Sequence, residues 1–388
     1  MLKRFFLLVG MGGVMLAAMI SFSPPMARAS GGPPELAAVS ALSATNVWAV
    51  GEVLTSANVT EGIVEHWNGR TWQISPGATP AGAVSSGLLG IKAISRDNVW
   101  AVGDISGQSS SSQPLIEHWN GARWQVVPTP VLSATLSFLT GVTADSPHDV
   151  WAVGVSGSTT LIEHWDGASW SVVPRPNPGA TGNELEGVAA VSAHNAWAVG
   201  DYRDSNFTEF PLIEHWDGSS WTVVPAPNPG SLTRLLGVAA TSARDVWAVG
   251  SFYDRTNTNQ PLVEHWDGSS WQAVSGLNPA GSPGSFLDGV TAVSHSNVWV
   301  SGGTNLPATS GGLATLIEHW NGSSWQIVPS PNVPGASGPA NFLNSVAAVP
   351  HDEDVWTVGR AIDQSGSFVT LTEAWNGAKW RIVSSPNP

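Results

Sequence analysis

The residues with the clearest chemical potential form a Glu-His-Trp triplet that recurs along the chain. A carboxylate beside an imidazole can do acid–base work or bind a metal ion, and an indole ring can stack on a sugar. The copies begin at Glu65, Glu117, Glu163, Glu214, Glu264 and Glu318, and a seventh copy, from Glu373, has Ala374 in place of histidine. The triplet could supply internal structural bonds, repeated ligand pockets between neighbouring units, or a catalytic group.

The repetition itself favours the structural interpretation. An enzyme needs one site, whereas every unit of a repeated array needs the same internal bonds. Adjacent residues on a strand also point to opposite faces, so Glu and His of one triplet cannot converge on one metal ion. We therefore expect Glu and His to tie strands or neighbouring repeats together, and Trp to pack.

Each triplet opens a longer block, E-H-W-[ND]-G-x-x-W, and a block [ND]-x-W-x-x-G precedes it. The tryptophans of the preceding block are Trp48, Trp100, Trp151, Trp197, Trp247, Trp299 and Trp356. Three tryptophans per repeat over seven repeats account for all 21 in the chain. Self-similarity at a period near 50 residues is typical of a closed array of small sheets.

The fifth repeat illustrates the elements that must position these residues. A small apolar run at 237–241 is followed by the strand-like segments 246–249, 262–266 and 271–274. An Asp-Gly pair before the last segment is a hairpin signal, because both residues tolerate positive φ. Four antiparallel strands per repeat predict an all-β fold, a seven-bladed β-propeller.

The order of the strands within a blade is open at this stage. If the Gly/Ala-rich run is innermost, where only small side chains fit around the axis, residues 35–388 give seven complete blades. The last blade then packs on the first. If the strand that carries the W-A-V-G of the [ND]-x-W-x-x-G block is innermost instead, residues 36–39 would complete the last blade and lock the ring.

The repeat resembles the kelch family, to which the central domain of galactose oxidase is similar. The match runs through W-A-V-G, E-H-W-D-G, S-S-W and V-V-P-A-P-N-P, and it covers about residues 35–388. Kelch blades usually end the second strand in a glycine pair, which only Gly302-Gly303 reproduces here. The D-G-x-x-W turn also resembles the Asp-box hairpin of sialidase-type propellers, one residue shorter. The kelch resemblance implies a role in molecular interaction.

Variable loops give the candidate ligand-binding residues. The only two tyrosines lie in equivalent loops of adjacent blades, each flanked by charged residues, and two acids lie just before inner-strand glycines at the channel mouth. The candidates are Asp201, Tyr202, Arg203, Tyr253, Asp254, Arg255, Glu186 and Asp288. Aromatic and charged residues on neighbouring loops are typical of a recognition patch, although ordinary exposed loops have similar compositions.

Other chemistry finds less support in the sequence. Four histidines precede [ND]-x-W blocks, and we expect solvated turn residues in different blades: His148, His194, His295 and His351. We expect no metal site and no cofactor. The chain has no Cys, so the Cys–Tyr-linked copper chemistry of galactose oxidase is absent. The arginines are too scattered to indicate a sialidase-like cluster, and no nucleophile elbow, phosphate loop or zinc signature occurs. The run at 306–310 looks like a cell-wall sorting signal, but its mid-chain position predicts a loop.

The first 29 residues predict a secretory signal peptide. Lys3 and Arg4 precede an apolar run, and Ala27-Arg28-Ala29 is a small-x-small cleavage pattern. An uncleaved membrane anchor is the alternative. Residues 30–388 would carry 12 basic and 29 acidic residues, a net charge near −17, which repels nucleic-acid phosphates and anionic lipids. We expect no nucleic-acid partner, no membrane insertion after cleavage, and a monomer.

The sequence therefore predicts a signal peptide at 1–29 and one propeller at 30–388. The repeats would span approximately 35–84, 85–136, 137–183, 184–233, 234–285, 286–340 and 341–388. The leading hypothesis is a secreted, non-catalytic binding or scaffold protein whose loop face recognises a protein or glycan. The alternatives are a polysaccharide-active hydrolase or lyase with acids at the channel mouth, and a multivalent lectin using the Glu-His-Trp blocks.

Overall fold

The chain folds into a seven-bladed β-propeller, in agreement with the prediction. The computed structural model describes residues 34–55, 57, 59–78, 83–107, 111–307, 311–335 and 340–387. Each blade is a four-stranded antiparallel sheet whose strands follow one another in chain order. The predicted signal peptide and most of the run at 306–310 lie outside the described residues. No stretch of helix in the described part of the chain reaches the length and hydropathy needed to cross a bilayer.

The strands of the first four blades have the following bounds. Blade 1 contains β1 (Glu35–Ser43), β2 (Asn46–Leu54), β3 (Thr60–Trp67) and β4 (Trp72–Ile74). Blade 2 contains β5 (Ser85–Ser95), β6 (Asn98–Ser106), β7 (Ser112–Trp119) and β8 (Trp124–Val126). Blade 3 contains β9 (Ser137–Ser146), β10 (Asp149–Ser156), β11 (Thr159–Trp165) and β12 (Trp170–Val172). Blade 4 contains β13 (Gly182–Ser192), β14 (Asn195–Arg203), β15 (Glu209–Trp216) and β16 (Trp221–Val223).

The remaining three blades repeat this pattern. Blade 5 contains β17 (Ser231–Ser242), β18 (Asp245–Tyr253), β19 (Asn259–Trp266) and β20 (Trp271–Ser275). Blade 6 contains β21 (Ser285–Ser294), β22 (Asn297–Asn305), β23 (Leu313–Trp320) and β24 (Trp325–Ile327). Blade 7 contains β25 (Asn341–Ala348), β26 (Asp354–Ile362), β27 (Phe368–Asn376) and β28 (Trp380–Ile382).

The ring has two faces. The turn face carries the tight turns between first and second strands and between third and fourth strands, such as 243–244 and 267–270. The loop face carries the connections between second and third strands, such as 254–258, and the linkers between blades, such as 224–230.

The first strand of every blade lines the central channel, which has a volume of about 170 Å³. Steric crowding between neighbouring first strands explains why they are rich in small residues. A Cβ added to Gly187 would lie 3.1 Å from the carbonyl oxygen of Leu236 in the next blade, and one added to Gly237 would lie 2.9 Å from that of Asp288. Inner strands can therefore sit this close only where side chains are absent or very small. The Gly/Ala-rich strand is innermost, as the first of the two arrangements predicted.

The ring closes by packing blade 7 against blade 1. The Asn344 side-chain amide donates to the carbonyl oxygen of Leu36 at 2.9 Å, and the Val39 amide donates to the Ser345 hydroxyl at 3.3 Å. Arg360 and Glu35 form an ion pair across the same seam at 3.0 Å. Residues 36–39 belong to β1 and pair with β2. The alternative in which they complete the last blade is wrong.

Tryptophan clusters hold neighbouring blades together. We call [ND]-x-W-x-x-G the first block of a repeat and E-H-W-[ND]-G-x-x-W the second block. The first-block tryptophan of each blade packs against both second-block tryptophans of the next blade, as Trp247 does against Trp320 and Trp325. In all seven seams one of these contacts is edge-to-face, with ring centroids 5.3–5.7 Å apart and planes 80–88° apart. Aromatic quadrupoles favour this geometry. The 21 tryptophans thus form seven equivalent clusters that stabilise the ring without disulfides.

Candidate functional site

The glutamate of each Glu-His-Trp triplet is sealed inside the propeller. All seven are at most 3% exposed, and where a partner is seen it belongs to the linker of the preceding blade. Glu117 accepts from the Ala78 amide at 3.0 Å, and Glu318 accepts from the Leu277 amide at 3.2 Å. Desolvation raises the pKa of Glu264 to about 8. Glu117 and Glu318 therefore connect blades, and burial keeps all seven glutamates away from any sugar on the surface.

The histidine of the triplet is also held by internal contacts. In five blades its Nε2 lies 2.6–3.0 Å from the side-chain oxygen of the Asn or Asp that opens the same blade's first block. The ring centroid lies 4.1–4.3 Å from that of the first-block tryptophan in all six blades that have this histidine. The structural interpretation of the triplet accounts for each of these contacts. The residues that depart from sevenfold repetition are therefore the better candidates for a functional site.

The largest such departure is an ion network on the loop face at the seam between blades 4 and 5. Glu209, 3% exposed, accepts from two guanidinium groups. Arg203, at the end of β14, donates at 2.6 and 2.9 Å, and Arg234, on the inner strand of blade 5, donates at 2.7 and 3.0 Å. Desolvation alone would raise the pKa of Glu209, but bonds from Arg234 and Arg203 outweigh it and hold the pKa below its usual range.

Three more acids surround this network. Asp201 lies 3.7 Å from Arg234 and pairs in register with Glu184 across β13 and β14. Desolvation raises the pKa of Asp201 to about 7, against the opposing charge of Arg234. Desolvation, followed by the charges of Glu186 and Asp201, raises the pKa of Glu184 to about 9. Burial and the neighbouring negative charges therefore both favour the protonated form of Glu184.

A strained, exposed phenylalanine lies in the loop beside this network. Three loops between second and third strands share one form, in which an aspartate accepts from amides two and four residues later: Asp204, Asp254 and Asp363. The residue three positions after the aspartate has positive φ in each loop. It is Gly366 at 83° and Asn257 at 57°, residues that tolerate this conformation, but Phe207 at 61° in blade 4. Phe207 is 71% exposed.

Leu232, the second residue of β17 in the adjoining blade, repeats this combination of strain and exposure. It has φ 49° and is 45% exposed, and it lies in a register irregularity at the start of β17. The residue at the corresponding place, three before a buried inner-strand leucine, is Gly182 in blade 4 and Gly284 in blade 6. The Arg234–Glu209 ion pair joins the two segments, because Arg234 follows Leu232 by two residues and Glu209 follows Phe207 by two.

The structure brings together only part of the predicted set. Asp201 and Arg203 belong to the ion network, and the charge of Glu186 acts on it. Tyr253 lies close enough to Arg234 for the guanidinium charge to act on its hydroxyl. Tyr202 is half-buried and stacks on Phe210 with ring centroids 5.3 Å apart.

The other predicted residues lie elsewhere. Asp254 Oδ1 accepts from Thr256 and Thr258 in its own loop, and its Oδ2 accepts from Gln260 on β19. Arg255 is exposed in that loop. Asp288 lines the channel from blade 6, whereas Glu186 lines it from blade 4. None of the predicted residues lines the cavity of about 530 Å³ on blade 1, which includes Val53, Glu61 and Ile74.

Sequence reasoning missed several residues of this region. Glu184, Glu209 and Arg234 lie on three different strands, and only the packing of blade 5 on blade 4 brings them together. Phe207 and Leu232 did leave a signal, because each is a large apolar residue where an aligned repeat has Asn or Gly. The four predicted turn histidines are exposed, as expected.

Comparison with known proteins supports the fold alone. No protein-family model matches the chain, and no curated protein matches it. Among solved structures it is similar to BP39L lectin from Burkholderia pseudomallei, with TM-score 0.50, 16% identity, and 91% of this chain and 99% of that chain covered. It is also similar to U3-55K, with TM-score 0.53, 13% identity, and 84% and 89% of the two chains covered. A structure of YCF48 bound to D1 peptide matches with TM-score 0.49, 14% identity, and coverage of 90% and 92%. The first two likenesses support the β-propeller as the class of fold.

Proposed function

We propose that the chain is a secreted, non-catalytic binding propeller that recognises a protein partner through the loop face at the seam between blades 4 and 5. The observation that supports this most is the pair Phe207 and Leu232. Both are large, apolar and exposed, and both hold a left-handed backbone conformation. Such strain costs of order 1–3 kcal/mol per residue and clusters at ligand-contacting sites.

The surroundings of the pair fit a protein-binding hot spot. Hot spots are enriched in aromatic residues and arginine, and the contacts around them exclude water. Here the anchors flank the Arg203–Glu209–Arg234 network, whose ion pairs hold the two segments in place before a partner arrives. A preorganised surface binds with a smaller loss of conformational entropy. A protruding aliphatic Leu232 suits a protein pocket better than a sugar ring.

The general part of this proposal, a role in binding, is supported by similarity to other propellers. The kelch-like repeat pattern implies an interaction role, and propellers of similar fold include one titled a lectin and one titled as bound to a peptide. A fold does not assign a function, so the proposal rests on the site itself.

Selection from a displayed random-peptide library tests the proposal. The untagged protein serves as bait, and Phe207→Asn and Leu232→Gly serve as counter-baits. Both variants should fold, because each introduces the residue found at the corresponding place in a neighbouring blade. We expect enriched peptides that bind the wild-type protein at least tenfold more tightly than either variant.

The same preparations are screened on a glycan array. Sugar binding that survives both substitutions, with no peptide enrichment dependent on Phe207 or Leu232, would overturn the proposed site and return the glycan hypothesis. Enrichment that is equal on wild-type and variant baits would also contradict it.

Export is tested separately by sequencing the amino terminus of protein recovered outside producing cells. Cleavage after Ala29 predicts Ser30 as the first residue. Recovery of the intact chain in membranes would favour the uncleaved anchor instead.

A polysaccharide-active hydrolase or lyase is the second candidate function. The observation that favours it is the pair of acids that line the channel, Glu186 from blade 4 and Asp288 from blade 6, because paired carboxyl groups can serve as acid and base. Glu186→Gln and Asp288→Asn variants would separate the two candidates. Turnover of a polysaccharide by the wild-type protein, lost in these variants while binding remains, would establish the enzyme.

A further inference from the structure

A second departure from sevenfold repetition lies on the turn face, at the seam between blades 5 and 6. Asp245 opens β18, His265 lies on β19 of the same blade, and His295 lies in the first turn of blade 6. The Asp245 Oδ1 lies 2.7 Å from His265 Nε2 and 3.5 Å from His295 Nδ1. The three ligand atoms all lie within 4.8 Å of one another. We propose that these residues form a binding site for a divalent transition-metal ion, with zinc as the best match.

The chemical types of the three ligand atoms favour a transition-metal ion. Two imidazole nitrogens and one carboxylate oxygen suit zinc and its neighbours in the first transition row, whereas calcium and magnesium prefer all-oxygen sites. Metal–ligand bonds of about 2.0–2.2 Å in a tetrahedron place ligand atoms about 3.4 Å apart. The Asp245–His295 separation already has this value, and the Asp245–His265 separation must widen by about 0.7 Å to reach the same spacing.

The surroundings of Asp245 orient it as a ligand. Its Oδ2 accepts from the Thr241 hydroxyl, and its Oδ1 accepts from the Trp247 indole at 3.1 Å. Bonds of this kind fix the direction of a metal-binding carboxylate. His265 is steadied by its stacking on Trp247, with ring centroids 4.1 Å apart. His295 is 71% exposed, so its ring can turn toward the ion, and a fourth position faces solvent.

The other seams supply internal comparisons, because none has the full donor set. In the chain sequence, four blades have Asn in place of Asp245, namely Asn46, Asn98, Asn195 and Asn297. Blade 3 has the same pair, with Asp149 Oδ1 2.6 Å from His164 Nε2, but Ala193 occupies the place of His295. The correspondence is direct, since Trp216 donates to the Ala193 carbonyl as Trp320 does to that of His295. Blade 7 has Asp354 but Ala374 in place of the histidine.

Expectations from the sequence missed this site for a geometric reason. The histidine of a triplet and the histidine of a turn appear unrelated, because they belong to different repeats. The packing of blade 6 on blade 5 places them on either side of one carboxylate. An ion bound there would link the two blades and stabilise the folded protein by mass action.

Titration calorimetry of the untagged protein with zinc chloride tests the inference. We expect one site per chain, lost or weakened at least tenfold in His295→Ala and in Asp245→Asn. His194→Ala and Asp149→Asn are the matched controls and should bind as the wild-type protein does. Zinc should also raise the melting temperature of the wild-type protein but not that of His295→Ala.

A constructive variant sharpens the test. Ala193→His completes the donor set at the seam between blades 3 and 4, and we expect it to raise the stoichiometry from one to two zinc ions per chain. Zinc binding that is unchanged in His295→Ala, or no zinc binding by the wild-type protein at millimolar concentration, would overturn the proposal. An Ala193→His variant that folds but gains no site would count against the assigned geometry.

Discussion

The interior of the blades and the loop face at the seam between blades 4 and 5 differ in how closely they follow the sevenfold repeat. In the interior, seven tryptophan clusters and seven buried glutamates repeat with nearly the same geometry. On the loop face, Arg203, Glu209 and Arg234 form a network that the other seams do not share in sequence. The interior favours residues that stabilise every blade alike, whereas the loop face accepts strain at Phe207 and Leu232. In this molecule, residues that repeat in every blade therefore serve the fold, and residues that depart from the repeat are the candidates for a functional site.

The largest predicted effect concerns the repeated interior. Trp100→Ala and Trp151→Ala each remove the central ring of an inter-blade cluster and should lower the free energy of unfolding by about 3–5 kcal/mol. Urea denaturation monitored by circular dichroism measures both. Because the clusters are equivalent, the two losses should agree within about 1 kcal/mol. A large difference between them would break the idea that the seams are interchangeable.

The next effect concerns the ion network. Arg234→Ala leaves Asp201 without its nearest cation and Glu209 with one arginine in place of two, and should cost about 2–4 kcal/mol. The exposed Arg255, in the next loop, is the matched control, and its replacement by Ala should change the unfolding free energy by less than about 0.5 kcal/mol. Equal effects of the two substitutions would show that the network does not hold the seam.

The buried glutamates predict an unusual dependence of stability on pH. Burial raises the pKa of Glu264 from its ordinary value of 4.5 to about 8, so the folded state binds more protons than the unfolded state between these values. Stability should therefore fall as pH rises toward 8. Partial burial lowers the pKa of half-buried histidines such as His66, and this acts in the opposite direction, mainly below pH 6.5. In the window from pH 6.5 to 8 the glutamates titrate together with Asp201, whose pKa burial raises to about 7, so a single-residue variant is needed to separate one glutamate.

Glu264→Gln removes one of the buried carboxyl groups that bind a proton in the folded state. Its unfolding free energy should fall less steeply with pH in this window, by up to about 1.4 kcal/mol per pH unit relative to the wild-type protein. Urea titrations at three pH values measure the slope. Parallel slopes for wild type and variant would show that Glu264 is ionised in the folded state.

The smallest effect tests strain on the loop face. Phe207→Asn should raise the free energy of unfolding by about 1 kcal/mol, because asparagine tolerates positive φ. The reciprocal change, Asn257→Phe in the equivalent loop of blade 5, should lower it by a similar amount. A loss of stability in Phe207→Asn would mean that the phenylalanine is held by packing and serves the fold.

The sequence predicts the repeated parts of this molecule well because repetition averages over local ambiguity. Seven copies of one pattern determine four strands per blade, and the small residues at positions such as Gly187 and Gly237 point to the innermost strand. The site is harder to predict, because it depends on contacts between repeats. Arg234 and Glu209 are 25 residues apart in the chain, and only their seam brings them together. Phe207 shows that comparing aligned repeats could have located the region from sequence.

Ligand affinity tests the central claim most directly. The dissociation constant of the best peptide selected on the wild-type protein is measured for the wild type, for Phe207→Asn and for Glu264→Gln. The account predicts a loss of at least tenfold, about 1.4 kcal/mol, in Phe207→Asn and unchanged affinity in Glu264→Gln. Unchanged affinity in Phe207→Asn, with a loss in Glu264→Gln, would place binding in the repeated interior and contradict the account.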